Sequence, residues 1–280
     1  MFKAMSDTMN VMRFEAHGRR LRVDFSKPVS IAIPLDFAGP QPSCFGAERA
    51  QARPLAAGDF VGDTRAGGSC NCEILTLAPH CNGTHTECVG HVTLDRVAVS
   101  ERLPGGVELA LLITIAPAAA ADSTEDSDPA PVPGDCLVTA AALRKTLDAY
   151  QGPVPTALIV RTAAGEGPYH AYSGAAPAPY LTRQAAAFLV ERGIATLVLD
   201  LPSADRADDD GKLTAHRIFF GLPPGSQRAS ESQRPHASIT ELAWIAPAIA
   251  DGLYVLDLQM PAFLSDAAPS RPLLYAVQPE

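Results

Sequence analysis

The 280-residue sequence has few basic residues, a single tryptophan and no long uninterrupted apolar run. Its 22 Lys and Arg against 31 Asp and Glu give a net charge of −9, which excludes the basic surface of a nucleic-acid-binding protein and disfavours contact with anionic membranes. The longest apolar run, residues 107–121, contains Glu108 and Pro117 and is too short to cross a bilayer. The N-terminal region also lacks the apolar stretch of a signal peptide. We therefore expect a cytoplasmic protein that binds neither nucleic acid nor membrane.

Apolar residues and prolines are abundant. Hydrophobic residues make up 47% of the chain, enough for a sizeable core. The 25 prolines predict many irregular connections, because proline interrupts both helices and central strands. A plain helical bundle is therefore excluded.

The first half of the chain is rich in strand patterns, and the second half alternates strands with helices, which predicts an α/β fold with a mixed sheet. The predicted strands are 21–25, 29–33, 73–77, 92–94, 97–99, 108–115, 157–161, 196–201, 253–258 and 273–277. The predicted helices are 139–150, 182–192 and the first turns of 239–249. We interpret residues 1–19 as an N-terminal extension and residues 20–280 as a single domain, with a flexible, solvated loop rich in acids and proline at 117–134.

One short segment concentrates the groups that bind metals or transfer protons. Residues 79–91 read PHCNGTHTECVGH and contain His80, His85, Glu87 and His91. His85 and Glu87 share one face of an extended segment, and His91 joins them if the strand stays regular. A turn at Asn82-Gly83 can bring His80 back toward them. Imidazole and carboxylate ligands suit Zn²⁺ or Mn²⁺, so the segment predicts a metal or catalytic site.

Several alternatives stay open. Cys70, Cys72, Cys81 and Cys88 could bind a structural zinc ion, although their spacing matches no standard pair and small buried residues lining a pocket are the favoured interpretation. His216 could be a core residue, and Glu241 could cap a helix that begins at Ser238. Asp200 is interpreted as a structural residue. The acids of one loop are interpreted as solvated: Asp205, Asp208, Asp209 and Asp210. His236 is near Glu241 and could line the pocket.

HCNGTHTECVGH resembles the H-x-G-T-H-x-D-x-P-x-H signature of the metal-dependent cyclase family, which includes bacterial kynurenine formamidase and isatin hydrolase. Residues 197–221 and 236–242 are similar to later segments of that family. Three departures are visible: the first two histidines are five residues apart instead of four, Glu87 replaces an aspartate, and residues 88–90 replace a segment containing proline.

The resemblance implies a swivelling β/β/α architecture, a homodimer or homotetramer, and one or two bound metal ions. It implies His91 as the acid/base catalyst and Glu241 as both ligand and catalytic group. The ligand set that it implies is His80, His85, Glu87, His216 and Glu241, with Glu87 able to bridge two ions.

The function implied by this resemblance is hydrolysis of a non-peptide carbon–nitrogen bond. The expected substrate is a small-molecule amide, either an arylformamide or a cyclic amide. The alternatives are a hydrolase of cyclic imides, lactams or esters, and a metal-binding protein without catalytic activity.

Overall fold

A computed structural model describes residues 10–16, 18–103, 105–162, 172–173 and 177–280. The strands in this part of the chain are β1 Val11–Ala16, β2 Arg19–Asp24, β3 Val29–Ser30, β4 Gln51–Pro54, β5 Ala56–Ala57, β6 Phe60–Val61, β7 Glu73–Thr76, β8 His85–Glu87, β9 Val107–Ile115, β10 Ala118–Ala119, β11 Cys136–Val138, β12 Ala157–Thr162, β13 Tyr180–Leu181, β14 Thr196–Leu199, β15 Ser238–Glu241, β16 Gly252–Asp257, β17 Ala267–Pro269 and β18 Leu273–Pro279. The α-helices are α1 Pro79–Asn82, α2 Val99–Arg102, α3 Ala140–Ala149, α4 Arg183–Glu191 and α5 Thr214–Phe219.

Eleven strands form one mixed sheet in the order β1-β2-β18-β16-β9-β12-β14-β15-β8-β17, with β3 attached to β18. Strands β9, β12, β14 and β15 are parallel, and antiparallel strands extend the sheet on both sides. The central strands β12, β14 and β15 are almost wholly buried, as expected of parallel strands covered on both faces. The predicted α/β fold with a mixed sheet is confirmed.

The two faces of this sheet pack against different parts of the chain. Leu111, Leu158 and Leu197 face helices α3, α4 and α5, which contribute Leu143 and Phe188 among others. Alternate residues of the same strands, such as Leu112 and Ile159, pack on the opposite face against irregular segments that include Ile31 and Ile245. Since successive strand residues point to opposite faces, the continuous apolar runs of these strands serve both cores.

The two longest helices begin where the sequence predicts. Thr139 accepts a hydrogen bond from the Ala142 amide at the start of α3, and Thr182 accepts one from the Ala185 amide at the start of α4. Glu125 accepts from the amides of Ala140 (2.7 Å) and Ala141 (3.0 Å), so this acid is bound to the N-terminus of α3. Within residues 117–134, which are exposed or partly exposed throughout, Glu125 thus ties the loop to the helical layer.

Three of the predictions from local pattern are wrong. Residues 92–94 and 97–99 form no strands, because a 3-10 turn ends at Val92 and α2 begins at Val99. Residues 238–241 form strand β15, not a helix, because pairing with β14 and β8 buries all four. Leu242 then has a left-handed backbone (φ 53°), which ends the strand and prevents the predicted helix from continuing.

The predicted N-terminal extension contains a strand. Val11–Ala16 pairs antiparallel with β2, and β2 pairs with β18, so this part of residues 1–19 belongs to the sheet. Within the described residues, no helix has both the length and the apolar character needed to span a bilayer.

Candidate active site

The segment 79–91 changes direction twice and so brings its four predicted site residues together. Helix α1 is a single turn that carries His80, strand β8 carries His85 and Glu87, and a 3-10 turn after β8 carries His91. The strand is therefore shorter than the regular extended segment that the sequence suggests. It is the 3-10 turn that returns His91 to the cluster.

Two buried polar residues hold this segment in place. The Asn82 side chain accepts from the Ala78 amide (2.7 Å) and donates to the carbonyls of Pro42 and Glu48, which fixes the α1 turn. Thr84 accepts from the Ile33 amide (2.8 Å) and donates to the Leu242 carbonyl. The additional residue between His80 and His85 is thus accommodated by a specific hydrogen-bonded turn.

His85 and Glu241 lie directly opposite each other on paired strands β8 and β15, and both are buried. Their side chains meet on the helix-bearing face, with His85 Nε2 3.5 Å from Glu241 Oε2. Glu87, two residues along, has Oε2 3.9 Å from His85 Nε2 and Oε1 2.9 Å from His216 Nε2. His216 reaches the site from α5 and also lies 3.2 Å from Glu241 Oε1.

His80 and His91 form the more accessible side of the cluster, and their rings stack with centroids 4.1 Å apart. His80 Nδ1 lies 2.9 Å from Glu87 Oε2, and His91 Nε2 lies 3.8 Å from the same oxygen. Asp266, just before β17, lies on their other side, with Oδ2 2.8 Å from His80 Nε2 and 3.4 Å from His91 Nδ1.

Hydrogen bonding at the outer nitrogens of the buried imidazoles determines what faces inward. His85 Nδ1 donates to the Gly83 carbonyl (3.0 Å), so a neutral His85 presents the lone pair of Nε2 to the two glutamates. His216 Nδ1 lies 2.6 Å from Asp205 Oδ2, so a neutral His216 likewise presents the lone pair of Nε2 to the glutamates. Both rings are therefore oriented as metal-binding histidines are.

The centre of the cluster contains polar atoms whose bonding is incomplete. His85 Nε2, His216 Nε2 and both carboxylate oxygens of Glu87 are buried and lack a hydrogen-bond partner of acceptable geometry within the described residues. Converging lone pairs and carboxylate charge are costly without a partner, and a cation removes that cost. Among the described residues, three groups have ligand atoms close enough together to hold an ion: His80-His85-Glu87, His80-His91-Asp266 and Glu87-His91-His216.

Charge coupling shifts the ionisation of the cluster. Burial by itself raises the pKa of Glu87. The neighbouring His91, His216 and His80 have the larger, opposite effect and hold this pKa well below its usual value. Burial likewise disfavours protonated His216, yet Glu87, Asp205 and Glu241 raise its pKa well above the ordinary value. His80 behaves in the same way, since Asp266 and Glu87 overcome its burial and raise its pKa to about 10. The site thus carries ionised carboxylates that imidazolium protons balance when no metal is bound.

All of the residues predicted from the sequence to form the site meet in this one cluster: His80, His85, Glu87, His91, His216 and Glu241. The capping role considered for Glu241 is wrong, because Ser238 begins a strand. Instead, Glu241 Oε1 accepts from the Ala204 amide (2.6 Å). His216 is buried, but it faces the cluster and so is more than a packing residue of the core.

Sequence reasoning missed two carboxylates that contact site histidines, Asp205 and Asp266. Asp205 was interpreted as part of a solvated loop but is buried against His216, and Asp209 is also buried and accepts from the Leu213 amide (2.6 Å). Asp266 lies far along the chain in an irregular segment, and no spacing distinguishes it from other acids.

The structure also bears on the cysteines, His236 and Asp200. None of the three metal-capable groups among the described residues contains a cysteine, and Cys88 Sγ instead donates to the Val97 carbonyl (3.5 Å). His236 is exposed and bonds to the Arg102 carbonyl (3.1 Å), away from Glu241. Asp200 accepts from the Thr162 amide, which agrees with a structural role.

The mixed sheet and the His- and Glu-lined cluster define an α/β protein with a metal-capable site. The sequence model of the Cyclase family, described as "Putative cyclase", matches residues 23–206, which is well over half of the chain. The chain therefore belongs to this family, and the resemblance stated from the motif is confirmed. No curated protein matches the sequence.

Solved structures of similar fold include two isatin hydrolases and a predicted metal-dependent hydrolase. Isatin hydrolase A from Ralstonia solanacearum has a TM-score of 0.60 at 15% identity, over 89% of this chain and 92% of that chain. The predicted metal-dependent hydrolase from Bacillus stearothermophilus has a TM-score of 0.56 at 15% identity, over 89% and 98%. Isatin hydrolase A from Labrenzia aggregata, bound to benzyl benzoate, has a TM-score of 0.55 at 15% identity, over 89% and 93%. At this identity the likeness establishes the shared fold.

Proposed function

We propose that the protein is a metal-dependent hydrolase that cleaves a non-peptide carbon–nitrogen bond in an arylformamide or a cyclic amide. The observation that carries this proposal is the group of four buried, unsatisfied atoms on His85, Glu87 and His216, which converge where a cation would satisfy them. The names of the structurally similar isatin hydrolases support the choice of a cyclic amide.

The residues that would hold the metal are His80, His85, Glu87, His216 and Glu241. The two oxygens of Glu87 point to different partners, Oε1 to His216 and Oε2 to His80 and His85, which supports the bridging role that the family resemblance implies for this carboxylate. Nitrogen and carboxylate ligands of this kind are those that Zn²⁺ and Mn²⁺ accept. When bound, such a cation polarises a carbonyl oxygen and makes hydroxide available from water near neutral pH.

His91 is the residue that would move protons. It is only half-buried, and it borders a cavity of about 410 Å³ that Asp266 and Leu264 also line. From there its Nε2 faces Glu87 and the centre of the cluster, so it can take a proton from the attacking water and give it to the leaving nitrogen. Glu241 accepts from the Ala204 amide and lies 3.2 Å from His216 Nε2, so its charge is kept at the buried side of the site.

The test is a joint measurement of metal content and turnover. Purified protein is analysed for Zn and Mn and then assayed with N-formylated anilines and with fused cyclic amides. We expect at least one equivalent of metal and hydrolysis of one of the two classes. Turnover of cyclic imides or esters alone would replace the amide by those substrates.

Two variants separate the enzyme from a binding protein. His91→Ala is expected to keep the metal and to lose activity by about 10²–10⁴-fold, the usual contribution of a general acid/base. His85→Ala is expected to lose both. Wild-type protein that holds metal tightly but turns over none of these substrates would point to the non-catalytic alternative, and full activity of His85→Ala would refute the proposal.

The predicted homodimer or homotetramer remains part of this proposal. Size-exclusion chromatography with light scattering tests it, and a monomeric mass would contradict it.

A further inference from the structure

Main-chain hydrogen bonds fix the backbone at Asp266. Its carbonyl accepts from the Cys88 amide (3.1 Å), and the preceding carbonyl, of Ser265, accepts from the Val99 amide (2.8 Å). The next residue, Ala267, begins β17 opposite Glu87 on β8. The Asp266 backbone is thus fixed to the strand and turns that carry the site, so the position of its carboxylate relative to the histidines is defined.

One oxygen of Asp266 serves two histidines. Oδ2 lies 2.8 Å from His80 Nε2 and 3.4 Å from His91 Nδ1. Each ring turns its other nitrogen toward Glu87 Oε2, His80 Nδ1 at 2.9 Å and His91 Nε2 at 3.8 Å. The two stacked imidazoles therefore lie between an outer carboxylate, Asp266, and an inner carboxylate, Glu87.

We propose that Asp266 is a positioning residue that sets which nitrogen of His80 and of His91 faces the reaction centre. An ionised carboxylate only accepts hydrogen bonds, so the nitrogens that face Asp266 carry the hydrogens. A neutral His80 then presents the lone pair of Nδ1 to the metal position, and a neutral His91 presents the lone pair of Nε2 as a base. This inference rests on the proposed function, because Glu87 faces the other nitrogen of each ring and a bound cation would take the place of the hydrogen there.

The arrangement also explains how His80 contributes despite the altered motif. Because one additional residue separates His80 from His85, the ring comes from the α1 turn and not from a position four residues before His85. Asp266 reaches that ring from a distant part of the chain and fixes its orientation. Outer carboxylates of this type change metal affinity or activity by about 10–100-fold when they are removed.

The experiment measures metal affinity and turnover for Asp266→Asn in three backgrounds: wild type, His80→Ala and His91→Ala. Asparagine keeps the shape but presents a mixed donor and acceptor, so we expect metal affinity to fall by about 10–100-fold and kcat to fall by a similar factor, with KM nearly unchanged. In His80→Ala the effect on metal affinity should disappear. In His91→Ala, kcat measured at saturating metal should not fall further, because residues that act as a unit are non-additive.

Two controls accompany these variants. Asp148→Asn, on the exposed C-terminal turn of α3, removes an acid that pairs with Arg192 and should change neither quantity. Asp266→Glu restores the carboxylate and should recover part of the loss. Equal losses in all three backgrounds, or no loss in wild type, would overturn the proposal. Wild-type protein without metal or turnover would instead refute the proposed function, while the affinity measurement with added Zn²⁺ would still decide the role of Asp266.

Discussion

Asp205 Oδ2 lies 2.6 Å from His216 Nδ1, and the same carboxylate caps the helix that carries this histidine. Its Oδ1 accepts from the Ala215 amide (2.7 Å), and its Oδ2 also accepts from the His216 amide (3.0 Å). Asp205 thus ties the start of α5 and the orientation of the His216 ring to one buried group. A metal ligand supported in this way is fixed before the metal arrives, which lowers the cost of binding.

Replacement of Asp205 by alanine is expected to weaken metal binding by about 10–100-fold, because His216 loses its outer partner. Loss of the helix cap should also lower the free energy of unfolding by about 0.5–2 kcal/mol. Chelator competition and urea unfolding measure the two effects. Asp209→Asn is the matched control, because Asp209 lies in the same loop but accepts from the Leu213 amide and not from His216. This variant should leave metal affinity unchanged. Equal metal affinity in Asp205→Ala and wild type would contradict the assigned support.

Glu87→Gln tests the centre of the cluster. The substitution keeps the size of the side chain but removes the charge that faces His80, His85 and His216. Because Glu87 would bind the metal directly, its loss should cost at least the roughly 100-fold of an outer-shell change, in both metal affinity and kcat/KM. Elemental analysis and steady-state kinetics provide the measurement, with exposed Glu101→Gln as the control. Retention of stoichiometric metal by Glu87→Gln would count against the bridging assignment.

Removal of the metal should lower the melting temperature. At a metal concentration of 100 Kd, binding to the native state contributes about 2.7 kcal/mol, which corresponds to a shift of roughly 5–10 °C for a chain of this size. Differential scanning fluorimetry with and without EDTA measures the shift, and added Zn²⁺ or Mn²⁺ should reverse it. The Glu87→Gln variant should show a much smaller response. A melting temperature of the wild type that is indifferent to both chelator and metal would contradict a resident ion.

Asp200 predicts a pH dependence of stability that is separate from catalysis. Burial raises the pKa of Asp200 from 3.8 to about 7, although its hydrogen bonds from Thr162 oppose the change. The folded state therefore holds a proton that the unfolded state has released, so the stabilising contribution of this group is complete below pH 3.8 and is lost as the pH rises through 7. Asp200→Asn should consequently become more stable relative to wild type between pH 4 and pH 8.

The measurement is urea unfolding of both proteins in EDTA across that pH range, which keeps metal binding from contributing. The difference in unfolding free energy should change steadily up to about pH 7 and then level off. A constant difference would show that Asp200 does not titrate in this range.

Local pattern predicts the regular parts of the fold well. Thr139 and Thr182 identify the beginnings of α3 and α4, because the capping hydrogen bond depends on residues a few positions away. The apolar runs of β9, β12 and β14 identify the central strands, because burial on both faces selects continuous apolar residues. The pattern fails at 238–241, where Ser238 and Glu241 resemble a helix cap but tertiary pairing with β8 and β14 makes a strand.

By itself, the sequence determines the chemistry of the site, because His80, His85, Glu87 and His91 fall within twelve residues and proximity along the chain requires them to be near one another. It also determines the family, through that same motif. The resemblance also implies His216 and Glu241, but only the tertiary structure decides how they reach the cluster, and it adds Asp205 and Asp266. The pairing of β8 with β15 places Glu241 opposite His85, α5 brings His216, and β17 brings Asp266. These contacts join positions more than a hundred residues apart, and sheet register and helix packing, which no local spacing encodes, create them.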